Sequence, residues 1–204
     1  MDSLRQLREL SSRTAPGITP EFLPAHIWKT IELVYSEKIG RKSLAEALDL
    51  GEGTVRNIIR RLVEGGLLET SRTGMSLTSD GERLYRGLER HLTGTELCRS
   101  NITVASKNYA VLVKAGEEYV ERGIEQRDKA LIAGARGATT ITYLEDGFNI
   151  PGMEMEVDPE MKQCLEERLH PEEGDAIVIG SANKMINAYI GAISAALDIY
   201  YRDN

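Results

Sequence analysis

The chain has 204 residues, 41% hydrophobic and 28% charged, which gives apolar material for one large core or two small ones and argues against disorder. No apolar run approaches the roughly 20 residues that cross a bilayer, and the N-terminus lacks the apolar stretch of a secretory signal, so a cytoplasmic protein without membrane contact is expected. The net charge of −7 is uneven: residues 1–94 carry 14 Lys+Arg against 13 Asp+Glu, and residues 95–204 carry 11 against 19. An acidic second half excludes general coating of a polyanion, while a near-neutral first half leaves room for a local basic face.

In chain order, residues 2–12 place Leu4, Leu7 and Leu10 three apart, which reads either as a flexible arm or, the favoured expectation, as a short helix that docks on a partner chain. Thr14–Pro20 holds two prolines and a glycine and reads as a linker. A helix is expected from Pro24, burying Ile27, Trp28, Ile31, Val34 and Tyr35, and ending before Gly40. Ser43-Leu44-Ala45-Glu46 has the spacing of a capping box opening a second short helix, with Leu44, Ala47 and Leu48 inward.

The stretch from Gly51 to Leu68 organises the chain. Val55, Ile58, Ile59, Leu62 and Val63 recur at helical spacing, and Gly65-Gly66 is a helix stop. Arg56, Asn57, Arg60 and Arg61 fall off the apolar face. Two strands, Leu67–Thr70 and Met75–Thr78, then flank a tip in which Gly74 supplies a positive φ. Ser79-Asp80-Gly81-Glu82 is a second capping box, opening a helix to about His91. The order helix, helix, helix, hairpin, helix, with Glu52-Gly53-Thr54-Val55-Arg56, Leu62, Gly66-Leu67-Leu68 and Leu77-Thr78-Ser79-Asp80-Gly81, resembles the winged helix-turn-helix transcription regulators of bacteria and archaea over about residues 24–92.

Residues Leu92–Glu96 read as a boundary segment. Beyond it strands are expected at Leu97–Thr103, Tyr109–Lys114 and Thr139–Leu144, the last turning at Glu145-Asp146-Gly147 into Phe148-Asn149-Ile150. A helix is expected over Glu117–Ala133, and another from Asp158-Pro159, cap and first residue, to Leu169. Ala176–Ile179 is continuously apolar, a strand buried on both faces. The last helix, about Ala182–Tyr200, carries the stripe Ile186, Tyr189, Ile190, Ile193, Leu197 and Tyr200, and small residues (Ala188, Gly191, Ala192, Ala195, Ala196) that let it lie close on a sheet.

Gly174–Lys184 with the helix after it resembles the small insert (GAD-like) domain of bacterial aspartyl-tRNA synthetases. The whole is similar to an archaeal two-domain family of unknown function, which supplies no ligand. The fold class expected is an N-terminal all-α winged helix with a two-stranded wing, followed by a C-terminal α+β two-layer sandwich. The expected divisions are an arm over 1–20, a DNA-binding domain over 21–94, and a regulatory or dimerisation domain over 95–204.

Motifs for common chemistries are missing. There is no P-loop, dinucleotide-binding turn, zinc-protease helix or nucleophile elbow. His26, His91 and His170 are scattered, and Cys98 and Cys164 have no metal or redox spacing. Glu154, Glu156, Asp158 and Glu160 alternate along the chain, with Asp158 accounted for as a cap. The expectation is a protein that is not an enzyme and takes no cofactor or metal.

Double-stranded DNA is the expected partner. Thr54, Arg56 and Asn57, at the front of the third helix, are the candidates for base edges, because Asn pairs with adenine and Arg with guanine in bidentate fashion. Arg60 and Arg61 are candidates for phosphate, and Arg41, Lys42 and Arg72 complete a positive rim. A single short helix reads few base pairs, so a homodimer is expected, paired through the Leu4/Leu7/Leu10 arm or the helix beginning near Asp80. A small anionic effector is the candidate ligand where Gly180-Ser181-Ala182-Asn183 enters the last helix, with Arg136 as counter-charge. The competing reading of that stretch is an ordinary strand-to-helix turn capped by Asn183. The competing reading of the whole first half is a protein-docking winged helix, since Glu46, Asp49, Glu52 and Glu64 dilute its positive face.

Overall fold

In the computed structural model the described residues are 3–12, 21–37, 39–72 and 74–203, the side chains of Arg202 and Asp203 excepted. The linker over Thr14–Pro20 and the wing-tip residue Thr73 lie outside them. The chain divides into two compact units, Met1–Arg90 and His91–Asn204.

In the first unit, α1 (Ser3–Ser11) packs on α2 (Pro24–Ser36), with Leu4 and Leu7 fully buried. The leucine stripe is therefore covered by its own domain and not by a partner chain, because a complementary apolar surface stands within reach of the same chain. Pro24 opens α2, and the turn before it is closed reciprocally. The Leu23 N–H donates to His26 Nδ1 at 3.0 Å, and the His26 N–H donates to the Leu23 carbonyl at 2.9 Å. Burial lowers the His26 pKa to about 4, so the ring is neutral and its nitrogen can accept. Trp28 is core, whereas Tyr35 is 45% exposed and lies against Tyr85, ring centres 4.4 Å apart.

The second helix, α3 (Arg41–Leu48), starts two residues ahead of Ser43, with Gly40 at its N-cap. Ser43 thus sits inside the first turn, and the capping box expected there does not form. Ala45 is buried in place of Ala47. In α4 (Glu52–Glu64), Val55, Ile58, Ile59 and Leu62 are buried, and Val63 is 42% exposed. The helix ends in a Schellman motif: the Leu67 N–H donates to the Leu62 carbonyl at 2.8 Å, and the Gly66 N–H to the Val63 carbonyl at 2.9 Å. The left-handed residue is Gly66, at φ +69°.

The wing is β1 (Leu68–Ser71) paired antiparallel with β2 (Gly74–Leu77), Ser71 opposite Gly74. Then α5 (Ser79–His91) is capped by Thr78, one residue before Ser79. The Gly81 N–H donates to Thr78 Oγ1 at 3.1 Å, and that hydroxyl donates to the Gly66 carbonyl at 2.7 Å. One threonine side chain so joins the end of α4, the wing and the start of α5.

The second unit is built on a five-stranded antiparallel sheet, in the spatial order β3 (Leu92–Leu97), β4 (Lys107–Val113), β7 (Ala176–Ala182), β5 (Gly137–Leu144), β6 (Gly147–Asn149). The segment read as a boundary is itself the edge strand β3, and the strand expected over Leu97–Thr103 is not formed. Gly94 is a close-approach residue here: a Cβ would stand 2.6 Å from Cε1 of Tyr109 on the neighbouring strand.

The helix expected over Glu117–Ala133 is split into a 3-10 turn, Glu117–Tyr119, and α6 (Ile124–Ile132). Gly123 breaks it with φ +70°, and a Cβ there would press on Thr140. Asp158 caps α7 (Pro159–Leu169), accepting from the Met161 N–H at 2.9 Å.

All seven residues of β7 are buried. The α+β class stands, but the two layers expected become three, because helices cover both faces of the sheet. Ile177 and Ile179 join Met161, Leu165 and Leu169 of α7 in one core. On the other face, α8 (Met185–Asp203) lies so close on Gly180 that a Cβ there would overlap the Ala188 carbonyl. The small residues Ala188, Ala192, Ala195 and Ala196 are fully buried. No helix among the described residues is long and apolar enough to cross a membrane.

Candidate nucleic-acid interface

Periodicity sends Val55, Ile58, Ile59 and Leu62 of α4 inward, and so turns Arg56 and Arg60, one turn apart, outward. The start of α3 and the tip of the wing close in on the same side. Together these elements form a groove of about 780 Å³, whose walls carry Arg41, Arg56, Arg60 and Arg72. All four arginines are exposed. Its floor is apolar, from Ile59, Val63 and Met75.

One acid, Glu64, borders the groove, with its Oε1 4.0 Å from Arg60 Nε. Both side chains are more than half exposed, so this pair is screened and leaves the Arg60 guanidinium open to another anion. Three separate elements thus bring guanidiniums to one concave surface, an arrangement suited to gripping a chain of phosphates.

Two of the sequence-predicted residues are committed elsewhere. Thr54 is 8% exposed, and its hydroxyl donates to Glu21 Oε2 at 2.9 Å. It holds the front of α4 to the residues before α2 and does not face outward to a base. Arg61 is half-buried. Its Nη1 donates to the carbonyls of Leu10 and Ser12 at 2.8 and 2.6 Å, and its Cζ lies 5.1 Å from the centre of the Phe22 ring. It fastens α1 and is not a phosphate ligand. Asn57 and Lys42 are exposed but do not line the groove.

Sequence reading missed Ile59, Val63 and Met75 as its floor, and Glu21 and Phe22 as anchors. The exposure of Val63 has a signal in the breadth of the apolar stripe, wider than one helix face needs. Nothing in the sequence marks a pairing over 33 positions such as Thr54–Glu21.

Near the last helix the geometry corrects the placing of Ser181 in a turn. Ser181 is 1% exposed and belongs to β7, where its hydroxyl donates to Asn108 Oδ1 at 2.7 Å. The Ser181 carbonyl accepts the Arg136 N–H at 2.8 Å. Gly180, Ser181 and Ala182 therefore lie inside the sheet ladder, and the turn into α8 begins only at Asn183, which is exposed. Ser181 is thus a buried strand residue and not part of an open turn, because the strand runs three residues further than its apolar run suggests.

Comparison with known proteins fits these two units. Residues 25–92 match the model of the CggR N-terminal DNA binding domain, and residues 104–199 match a domain of unknown function, DUF4443. Among solved structures, a hypothetical protein from Pyrococcus horikoshii OT3 is similar at 26% identity and a TM-score of 0.73, over 90% of this chain and 95% of that one. No curated protein matches. The chain is therefore similar to the CggR N-terminal DNA binding domain in its first unit and to DUF4443 in its second, and over most of its length to this hypothetical protein.

Proposed function

We propose that the protein is a DNA-binding transcriptional regulator, non-catalytic and cytoplasmic, that acts as a homodimer and reads the major groove with α4. The observation that carries this reading is the groove in which Arg41, Arg56, Arg60 and Arg72 converge. The match of residues 25–92 to a DNA-binding domain supports it. Arg56, nearest the front of α4 in this set, is assigned to base edges with Asn57 beside it. Arg41, Arg60 and Arg72 are assigned to phosphates. In a dimer the two copies of α4 would stand about 34 Å apart, one turn of the duplex.

The test is a binding titration against genomic fragments that co-purify with the protein, repeated over a range of salt. The log–log slope should steepen by about 0.9 for each phosphate neutralised, so Arg60→Ala should flatten it by about that amount. Arg56→Ala should cost about 1–3 kcal/mol and relax sequence preference. A slope near zero, or Arg56→Ala binding like the wild type, overturns the reading.

The apolar floor, with Val63 at 42% exposure, favours the second reading, a docking surface for protein. That reading predicts affinity for a protein partner with little dependence on salt.

A further inference from the structure

The sheet of the second unit is unpaired along part of one side. β6 pairs only with Thr142–Leu144 of β5, so Gly137–Ile141 has β7 on one side and, among the described residues, no strand on the other. The Tyr143 N–H donates to the Asp175 carbonyl, on the β7 side. Alternation along an antiparallel strand then turns the N–H and C=O of Ala138 and Thr140 outward; Ala138 is half-buried, whereas Thr140 is 4% exposed and packs beside Gly123. Beside them lies a groove of about 410 Å³, between Arg122, Ile124 and Arg127 on one rim and Ile150–Met153 on the other.

Exposed apolar side chains gather around it. Ile124 is 45% and Met153 56% exposed, Met155 follows at 39%, and Val104, at 63%, lies against Gly137 at the start of β5. Unpaired strand edges flanked by apolar groups are normally blunted or covered.

Charge is divided across the groove. Arg122 and Arg127 are exposed on the helix side. On the other side Glu154 and Glu156 are exposed and alternate with Met153 and Met155, in a segment outside any helix or sheet. The surface is thus complementary to itself. A two-fold axis through the groove sets the arginines of each copy against the glutamates of the other.

We propose that the edge of β5 at Ala138 is a homodimer interface, in which Glu154–Glu156 of a second copy enters the groove beside Ala138 and its carboxylates meet Arg122 and Arg127. Pairing at Ala138 satisfies its outward N–H and C=O, and the exposed methionines and Ile124 are buried in the same step. A foreign acidic peptide would satisfy the arginines but leave Glu154 and Glu156 of this chain unmatched, so the second copy is the better fit. The proposal deepens the dimeric part of the function proposed above and rests on it.

The test is sedimentation equilibrium of the full chain without DNA. The wild type should self-associate. The double variants Glu154→Lys/Glu156→Lys and Arg122→Glu/Arg127→Glu should each associate about ten-fold more weakly or worse, and mixing them should restore a heterodimer by matched charge. The glutamates and Met155 stand on exposed chain, so Met155→Asp decides the matter should the arginine variant not fold. A monomeric wild type, or variants that melt normally and associate like the wild type, overturns the proposal. Arg56→Ala separates the two readings: it should lose DNA while still sedimenting as a dimer.

Discussion

The guanidinium of Arg61 stands over the ring of Phe22 and donates to the carbonyls of Leu10 and Ser12. A cation on the helix assigned to DNA thus serves the packing of α1. Arg61→Ala should lower stability by about 2 kcal/mol, the loss of charge-assisted hydrogen bonds and a cation–π contact. It should leave the salt dependence of DNA binding unchanged. Thermal melting checks the first statement and a salt titration the second. A shallower slope with unchanged melting would return Arg61 to the phosphate contacts.

Gly81 is where α5 meets the wing. A Cβ there would overlap the Leu67 carbonyl and lie 3.2 Å from Leu77 Cβ. Because the close neighbour is backbone, it cannot swing aside. Gly81→Ala should therefore destabilise the first unit by about 1–3 kcal/mol, although alanine favours a helix by roughly 1 kcal/mol over glycine. Denaturant unfolding followed by Trp28 fluorescence measures it.

His26 gives the first unit an acid limit. Its pKa is about 4 folded, against 6.5 for the free side chain. Between those values the unfolded chain binds a proton that the folded chain does not. Stability from this residue is complete above pH 6.5 and falls as the pH drops toward 4. His26→Gln retains an acceptor at this position without the titration. It should flatten the dependence of melting temperature on pH over that interval.

Asp175 holds three donors at the mouth of β7. Its carboxylate accepts from the Ala115 N–H at 3.0 Å, the Glu172 N–H at 2.9 Å and Lys114 Nζ at 3.0 Å, and the residue is 3% exposed. Asp175→Ala strands two amides and should cost about 3 kcal/mol. Asp175→Asn, which keeps one acceptor oxygen, should cost less. Urea unfolding of both variants separates backbone satisfaction from loss of the lysine pair.

The element order was legible because periodicity is a local property. Burial of Ile58, Leu62 and Ile179 follows from spacing alone, as does the cap at Asp158. Glycines and capping boxes were less legible. Ser43 and Ser79 have the right spacing for caps, yet Gly40 and Thr78 hold those positions, since the choice between neighbouring caps depends on which carbonyl lies nearby. Gly94 reads as a breaker and is a strand residue, because the Tyr109 ring that needs its space is 15 positions away.

Sequence by itself determined that the chain has two units of different charge, that the first has the order of a winged helix, and that Arg56 and Arg60 share an outward face. Only the tertiary structure decided which arginines act together. Arg41 and Arg72 join Arg56 and Arg60 at one groove, while Arg61, one residue further on, is turned to Phe22 and spent on holding α1. The physical reason is angular: each residue along a helix turns about 100°, so adjacent arginines face different neighbours, and which neighbours those are is set by segments distant in the chain.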